Sequence, residues 1–270
     1  MILFLKAILY GILEGVTEWL PISSTGHLIL LSEVLYLDVS DAFFELFEVV
    51  IQLGAILAVA VLFFEKLNPV SRVKSKTERK NTWRLWGIVL LAVLPSAVLG
   101  LLFDDFLDTY LYRAPVVAAA LIFYGVIFLL PLKKRQNRFE ASDQVPWHTA
   151  LGIGCFQVLS LIPGTSRSGA TILGGMLLGL SRTAAAEFSF FLGIPTMFGA
   201  GALKAVKLIF SGATLTSHEV LILVTATLTA FLVSLATIRF LLDFVRRHSF
   251  VAFGVYRMLL GATVLLIYFL

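Results

Sequence analysis

The sequence predicts an all-α polytopic membrane protein with about six transmembrane helices and two re-entrant broken-helix pairs. Hydrophobic residues make up 59% of the 270 residues and charged residues only 14%, and the mean hydropathy is +0.95. Soluble domains average roughly 45–50% apolar and 25% charged residues, so this composition indicates a membrane protein. Two apolar regions, 2–37 and 147–180, are each interrupted near the middle by Pro, Ser, Thr and Gly. Each region is predicted to form a broken helix pair that enters and leaves the membrane on one side.

Six further apolar stretches are long enough to cross a bilayer core, which takes about 20 helical residues. They lie at approximately 42–64, 85–103, 114–132, 183–208, 218–242 and 250–270. We interpret residues 1–270 as a single membrane domain. Its two pseudo-repeat halves, approximately 1–132 and 147–270, are joined by a basic cytoplasmic loop at 133–146.

Basic residues orient the chain, because cytoplasmic loops carry an excess of Lys and Arg. The loops at 65–84 and 133–138 are rich in both, whereas 104–113 carries three aspartates against one arginine and 209–217 carries no basic residue. The first two loops are therefore predicted to be cytoplasmic and the last two to face outward. The residues concerned are Lys66, Arg72, Lys74, Lys76, Arg79, Lys80 and Arg84, then Lys133, Lys134, Arg135 and Arg138, and on the outer side Asp104, Asp105 and Asp108.

This orientation makes the two broken-helix pairs dip in from opposite faces and meet near the midplane, which is the arrangement of an inverted-topology repeat. The sequence carries a weak trace of the same symmetry. A shift of 142 residues aligns Pro21 with Pro163 and Ser24 with Ser166.

Charge and cysteine content exclude several classes of protein. The net charge of +4 is concentrated in a few loops without an aromatic-interleaved basic patch, which argues against nucleic-acid binding. The single Cys155 excludes a disulfide framework within the chain. The N-terminal apolar run lacks a small-residue cleavage site followed by a polar chain, so it is not expected to be a removable signal peptide.

Two acidic residues stand out in the first broken region. Glu14 and Glu18 are one helical turn apart and share one face. Two like charges in a low dielectric need a cation or a shared proton, so a positive group is expected opposite them. The alternative is that both face a watery vestibule as ordinary solvated charges.

The turn that follows concentrates hydroxyl groups. Pro21 stops the first helix, and the run Ser23-Ser24-Thr25-Gly26-His27 is typical of a turn that leads into a second helix. A helix N-terminus presents unpaired N–H groups and suits an anion such as phosphate. The spacing lets His27 reach a serine hydroxyl as a general base or act as a nucleophile itself, although a lone histidine is more commonly a satisfied core residue.

The second broken region contains a matching turn, Pro163-Gly164-Thr165-Ser166-Arg167-Ser168-Gly169-Ala170-Thr171. An arginine at membrane depth is costly unless it meets an anion, and its planar donor fork suits phosphate. The alternative is an arginine that extends to the lipid headgroups. That alternative is assigned to Arg182, Arg239 and Arg257 rather than to Arg167.

These two motifs identify a resemblance. The segment Glu14-x-x-x-Glu18 with the run 20–27, together with the run 163–171, closely resembles bacterial undecaprenyl-diphosphate phosphatases of the bacitracin-resistance type. The likeness extends to 47–54 and 187–189 and covers essentially the whole chain, without a departure from either motif.

The resemblance implies hydrolysis of undecaprenyl diphosphate to the monophosphate carrier lipid and phosphate, for peptidoglycan synthesis, with bacitracin resistance. It implies a multi-pass protein of the bacterial cytoplasmic membrane whose active site opens to the outer side. The expected partners are a polyprenyl diphosphate and membrane lipids but no nucleic acid, and a homodimer is left open. The metal identity and the lipid chain-length preference are also left open.

The resemblance also implies roles for individual residues. Glu14 and Glu18 would serve a divalent cation, Mg²⁺ or Ca²⁺, or a proton, and Arg167 would clamp the diphosphate. Ser24 is favoured as the nucleophile with His27 as its base, while a histidine nucleophile or an activated water fits the same residues. Further substrate contacts are expected from Ser23, Thr25, Gly26, Thr165, Ser166, Ser168 and Thr171. Glu48 and Gln52 are expected either to support the site or to form hydrogen bonds between helices.

A transporter is the competing hypothesis, because inverted repeats with broken helices are typical of secondary transporters. Such a protein would move a lipid phosphate or an anion through the same site. A carrier needs a binding site but no nucleophile, so the chemistry around Ser24 and His27 discriminates the two functions.

Overall fold

The computed structural model describes residues 2–37, 39–130, 138–210 and 215–270, with side chains at 41, 42, 104, 105, 108, 208 and 209 left undescribed. Several residues used above to predict the orientation lie outside this part. They are Lys133, Lys134 and Arg135, together with the side chains of Asp104, Asp105 and Asp108.

The described part of the chain is predominantly helical and contains no named strand, which confirms the predicted all-α class. The helices are α1 (Ile2–Thr17), α2 (Ser24–Val34), α3 (Asp41–Leu62), α4 (Phe64–Leu67), α5 (Lys76–Phe106), α6 (Ala114–Leu129), α7 (Trp147–Val158), α8 (Arg167–Leu177), α9 (Arg182–Phe210), α10 (Ser217–Arg247) and α11 (Val251–Phe269). A π-helical turn follows α5 at Leu107–Leu111, and 3₁₀ turns lie at Ser142–Gln144 and Leu159–Leu161.

The helix lengths confirm a multi-pass membrane protein. Among the described residues, α3, α5, α9, α10 and α11 are long and apolar enough to cross a membrane. The sixth predicted span, 114–132, corresponds to the 16-residue helix α6. At 1.5 Å per residue this helix is about 24 Å long, shorter than a hydrocarbon core of about 30 Å. Positions 131 and 132 lie outside the described residues.

Helix α5 begins earlier than the hydropathy predicts, at residue 76 rather than 85. A capping arrangement explains the early start: the Ser75 hydroxyl accepts the Glu78 N–H at 3.2 Å, and the Glu78 carboxylate accepts the Ser75 N–H at 2.7 Å. Basic residues assigned to a loop therefore lie on the polar first turns of a helix.

Both interrupted regions are broken helices, as predicted: α1 with α2, and α7 with α8. The second helix of each pair begins after a serine with a positive φ, Ser23 at 73° and Ser166 at 70°. Each serine hydroxyl accepts the backbone N–H three residues later, from Gly26 and Gly169. These N-caps are 143 positions apart, so the structural correspondence is offset by one residue from the shift of 142 that aligned Ser24 with Ser166.

Corresponding helices of the two halves make corresponding contacts. Helix α1 packs on α10 as α7 packs on α5, α3 packs on α9, and α6 packs on α11. Close approach needs small residues: a Cβ at Gly154 of α7 would lie 2.2 Å from the carbonyl oxygen of Ala92 in α5. The division into halves at 133–146 stays a prediction.

An arginine of α11 ties the two turns together. Arg257 Nη1 donates to the carbonyl oxygen of Pro21 at 3.1 Å, and Nη2 donates to that of Gly164 at 2.8 Å. Gly164 has a φ of +91°, and a Cβ there would lie 2.4 Å from the carbonyl oxygen of Val117 in α6. A glycine at this position therefore allows the second turn to approach α6.

The prediction that Arg257 extends to lipid headgroups is wrong. Its exposed fraction is 0%, and its guanidinium lies 5.8 Å from the ring centroids of both Tyr124 and Phe128 in α6. Buried carbonyl groups and aromatic faces surround the charge instead of headgroups. The irregular backbone of the two turns supplies acceptors that a continuous helix would have used internally.

Arg257→Lys should lower the melting temperature in detergent by about 5 °C, because a single ammonium group does not reproduce a planar fork that spans two carbonyls. The matched control is Arg239→Lys, at an exposed position on α10, which should melt like the unsubstituted protein. Equal melting temperatures for both variants in scanning fluorimetry would show that the bridge does not stabilise the fold.

Candidate active site

A cavity of about 180 Å³ lies where the two turns meet. Both turns contribute polar side chains to its wall, and the long helices α3 and α9 complete it. The predicted site residues in this wall are Glu18, Ser23, Ser24, Thr25, Gln52, Ser166 and Arg167.

Glu18 connects the two turns chemically. Its Oε2 accepts the Ser24 hydroxyl at 3.0 Å, and its Oε1 accepts Arg167 Nη2 at 2.9 Å. The ion pair is nearly buried, with 7% of the Glu18 side chain and 11% of the Arg167 side chain exposed. One carboxylate therefore orients a hydroxyl from the first turn and a guanidinium from the second. The Arg167 guanidinium is the positive group that the sequence predicted opposite the two acids.

Arg167 is held from three directions. Besides Glu18, its Nη1 donates to the carbonyl oxygen of Ser189 in α9 at 2.6 Å, and its guanidinium lies 6.0 Å from the ring centroid of Trp19. A Cβ at Gly193 would lie 2.6 Å from Nη1, so only a glycine leaves room for the guanidinium beside α9. The fork is thus fixed at the cavity wall, where it can meet an anion.

Glu14 lies behind Glu18 and is fully buried. Neither of its carboxylate oxygens has a hydrogen-bond partner of normal geometry among the described residues. Glu18, Glu48 and Arg167 lie within electrostatic range of it. Because a buried charged group without a partner is costly, this carboxylate requires a proton or a cation.

Oxygen ligands of this kind fit a hard divalent cation. Among the residues that the structure describes, no group of three or more His, Cys, Asp or Glu side chains is placed to hold a metal ion. Glu14 and Glu18 therefore offer two protein ligands. Mg²⁺ typically completes such a shell with water and substrate phosphate oxygens.

His27 does not contact Ser24. Its Nδ1 lies 2.7 Å from the carbonyl oxygen of Ser23, and its Nε2 lies 2.7 Å from the Tyr256 hydroxyl of α11. The predicted pairing of Ser24 with His27 is therefore replaced by the pairing of Ser24 with Glu18. The histidine is 8% exposed and lies behind the first turn rather than at the cavity wall.

Other predicted residues hold the second turn in place rather than line the cavity. The Ser168 hydroxyl donates to the carbonyl oxygen of Leu20 in the first turn at 3.2 Å. The Thr171 hydroxyl lies 2.7 Å from that of Ser189. Thr165 is fully buried. Gly26 supplies the N–H that caps onto Ser23, so these positions shape the turns.

Sequence reasoning missed several cavity residues. Ser160 and Thr196 lie at the wall, as does Tyr112, which follows the π-helical turn after α5. Ser160 precedes Pro163 by only three positions and Thr196 follows Pro195. A nearby proline was therefore a sequence signal that could have identified both residues. Tyr112 carried no such signal, because its place at the cavity depends on the packing of α5.

Backbone groups add to the positive character of the cavity. The N-termini of α2 and α8 both begin at its wall, with Ser24 and Arg167 as their first residues. Helix N-termini carry unpaired N–H groups and partial positive charge. With Arg167 between them, they make the cavity suited to a phosphate group.

Comparison with known proteins agrees with this geometry. The chain matches the family described as "Bacitracin resistance protein BacA" over residues 7–263. It is 54% identical over 260 residues to an undecaprenyl-diphosphatase of Enterococcus faecalis, covering 95% of this chain and 94% of that protein. It is 53% identical over 268 residues to an undecaprenyl-diphosphatase of Limosilactobacillus fermentum, covering 98% and 97%.

A third relative, an undecaprenyl-diphosphatase of Streptococcus mutans, is 54% identical over 265 residues, covering 97% of this chain and 94% of that protein. The similarity extends over nearly the whole of each protein and includes both turns. The chain belongs to the BacA family of bacitracin resistance proteins.

Proposed function

We propose that this protein hydrolyses undecaprenyl diphosphate to undecaprenyl phosphate and phosphate, which recycles the lipid carrier for cell-wall synthesis and confers bacitracin resistance. One observation carries the proposal: Glu18 binds both the Ser24 hydroxyl and the Arg167 guanidinium at the wall of a cavity suited to phosphate. The names of the curated relatives support the same substrate.

Ser24 is the nucleophile in this proposal. Its Oγ attacks the terminal phosphorus while its proton passes to Glu18 Oε2, which already accepts that proton's hydrogen bond at 3.0 Å. The bond from phosphorus to the bridging oxygen breaks, and undecaprenyl phosphate leaves. Water then cleaves the phosphoserine, releases phosphate and restores the hydroxyl. His27 is not assigned the role of base, because its Nε2 faces Tyr256.

Arg167 and the two helix N-termini neutralise the charge of the diphosphate. Phosphoryl transfer depends mainly on positioning and on charge stabilisation. In the structure Arg167 is bound by Glu18 and by the carbonyl oxygen of Ser189. When the substrate binds, Arg167 exchanges part of its contact with Glu18 for contacts with phosphate oxygens. Glu18 then becomes free to accept the proton.

Glu14 and Glu18 are the residues proposed to hold a divalent cation, Mg²⁺ or Ca²⁺. The two carboxylate oxygens of Glu14 that lack hydrogen-bond partners support this assignment. A bound cation would supply further charge neutralisation on the diphosphate. Glu14 would act through the cation alone, because the Ser24 hydroxyl is hydrogen-bonded to Glu18.

The cavity admits the headgroup and not the lipid tail. Its volume of about 180 Å³ is below the range of about 300–1,000 Å³ that encloses drug-sized ligands. A C55 isoprenoid chain therefore stays in the hydrocarbon region beside the helices. Recognition at this site rests on the diphosphate.

Transport of a lipid phosphate is the alternative from the sequence, and an aromatic cluster opposes it. Towards the C-terminal end of α3 and the N-terminal end of α9, Phe63 packs edge to face on Phe191 with ring centroids 5.1 Å apart, and Trp19 packs likewise on Phe190 at 5.2 Å. Movement of a headgroup through this region would require the packed rings to separate. The pairing of a hydroxyl with a carboxylate also serves catalysis rather than carriage.

The orientation is also proposed. Basic residues of α5 cluster at its start, near Lys76 and Lys80, whereas Tyr112 at the cavity follows its other end. An excess of basic residues marks the cytoplasmic side. The cavity therefore opens to the outer face of the bacterial cytoplasmic membrane. Assembly as a homodimer stays a prediction.

Ser24→Ala should reduce phosphate release from undecaprenyl diphosphate by at least about 10³-fold, because it removes the nucleophile. Glu18→Gln should reduce it by about 10²-fold, because the serine loses its base while the amide keeps a similar shape. Purified protein in detergent is assayed for phosphate. Ser32→Ala serves as the control, since the Ser32 hydroxyl donates to the carbonyl oxygen of Ile29 within α2. No release from folded unsubstituted protein would refute the hydrolase and favour the carrier.

Glu14→Gln should abolish stabilisation of the protein by Mg²⁺ or Ca²⁺, because a neutral amide replaces a cation ligand. The readout is the melting temperature across a cation titration, which rises only if the folded state binds the ion. Glu33→Gln, at an exposed position on α2, should retain the cation response. A full response in Glu14→Gln would remove Glu14 from the cation site.

A single cysteine at Tyr110, placed in a Cys155→Ser background, should react with a membrane-impermeant maleimide on intact cells. Tyr110 lies beside the cavity end of α5 and is 56% exposed. A cysteine at the exposed Lys80 should react only after the membrane is permeabilised. The opposite pattern would place the cavity on the cytoplasmic side.

A further inference from the structure

His27 is engaged at both ring nitrogens by groups from different elements. Nδ1 lies 2.7 Å from the carbonyl oxygen of Ser23, and a carbonyl oxygen only accepts, so Nδ1 carries the proton. In the neutral imidazole Nε2 is then an acceptor, and the Tyr256 hydroxyl 2.7 Å away donates to it. The two contacts together specify one tautomer.

The two turns differ in the contacts made to the carbonyl oxygen of the N-cap serine. In the second turn the carbonyl oxygen of Ser166 accepts the backbone N–H of Ala170, four residues later, at 2.9 Å. In the first turn the carbonyl oxygen of Ser23 accepts the side chain of His27, also four residues later. The Ser23 carbonyl thus has a side-chain contact from His27, whereas Ala170 has no polar side chain that could make such a contact at the equivalent place in the second turn.

That carbonyl belongs to a strained residue. Ser23 has a φ of 73° and a ψ of 102°, and a non-glycine residue at positive φ costs on the order of 1–3 kcal/mol unless its surroundings hold it. The next residue is Ser24, whose hydroxyl must point at Glu18. The contacts that hold Ser23 therefore determine the direction of the Ser24 hydroxyl, the proposed nucleophile.

We propose that Tyr256 is a positioning residue that fixes the orientation of His27, and through His27 the conformation of Ser23 and the direction of Ser24. The ring of Tyr256 lies nearly parallel to the imidazole, with centroids 5.5 Å apart and an interplanar angle of 10°, and its hydroxyl edge rather than its face contacts Nε2. Tyr256 adjoins Arg257, which binds the carbonyl of Pro21 in the same turn. Helix α11 thus sets the first turn at two successive residues.

This role rests on the proposed function only because Ser24 is the proposed nucleophile. Neither His27 nor Tyr256 is assigned a reacting atom. Tyr256→Phe keeps the aromatic ring and removes one hydrogen bond. The expected result is a kcat about tenfold lower with an unchanged KM for the lipid diphosphate, because the headgroup contacts remain while the nucleophile is less well aimed. Tyr268→Phe, on the exposed end of α11, is the matched control and should leave kcat unchanged.

Nitrogen NMR of the histidine side chains provides a readout that does not depend on activity. The chain has four histidines, and the signal of His27 is assigned by its loss in His27→Asn. The unsubstituted protein should show His27 with its proton on Nδ1, and Tyr256→Phe should shift the Nε2 resonance, because that nitrogen loses its hydrogen-bond donor. An unchanged His27 signal in Tyr256→Phe overturns the proposal, whatever the nucleophile.

Replacement of His27 itself separates positioning from chemistry. The side-chain amide of His27→Asn can donate to the Ser23 carbonyl as Nδ1 does, whereas His27→Ala cannot. Positioning predicts an activity at least about tenfold higher for His27→Asn than for His27→Ala. Equal and complete loss in both variants would assign His27 a chemical role and overturn the proposal. If the unsubstituted protein releases no phosphate, the phosphatase function is refuted. The NMR measurement still tests the role of Tyr256 in that case.

Discussion

The bridge from Arg257 to both turns is the contact on which the site depends. A broken helix at membrane depth leaves backbone carbonyls without their intrahelical partners, and no water in the hydrocarbon core replaces those partners. The planar guanidinium satisfies one carbonyl from each turn, those of Pro21 and Gly164. The aromatic faces of α6 surround the charge. One buried cation thereby makes two interruptions tolerable and sets the distance between them.

The chemistry follows from that distance. Once the turns are adjacent, Glu18 from the first reaches Arg167 from the second, and Ser168 reaches the carbonyl of Leu20. Glu18 then holds the Ser24 hydroxyl with its other oxygen. The polar groups are satisfied by one another at the cavity wall, while Glu14 remains without a hydrogen-bond partner among the described residues. This division supports the proposed roles of Ser24 as the nucleophile and of Glu14 in binding a cation.

Helix α11 has a larger role than its apolar sequence indicates. It packs on α6 and contributes two consecutive residues, Tyr256 and Arg257, that contact the first turn. Because both contacts reach backbone or imidazole groups rather than the cavity, the helix acts on catalysis through geometry.

The sequence by itself determined the membrane class, the two interruptions and the chemical types at each turn, because hydropathy, proline and clustered hydroxyls are local signals. It also placed Glu14, Glu18, Ser24 and Arg167 in one site through the repeat. Only the tertiary structure decided the pairing of Ser24 with Glu18, the position of His27 behind the turn and the burial of Arg257. The contacts of His27 and Arg257 depend on which helices pack together across more than 200 residues of chain. The pairing of Ser24 with Glu18, six positions apart, depends on the conformation of the turn between them. A periodic pattern carries no information about either.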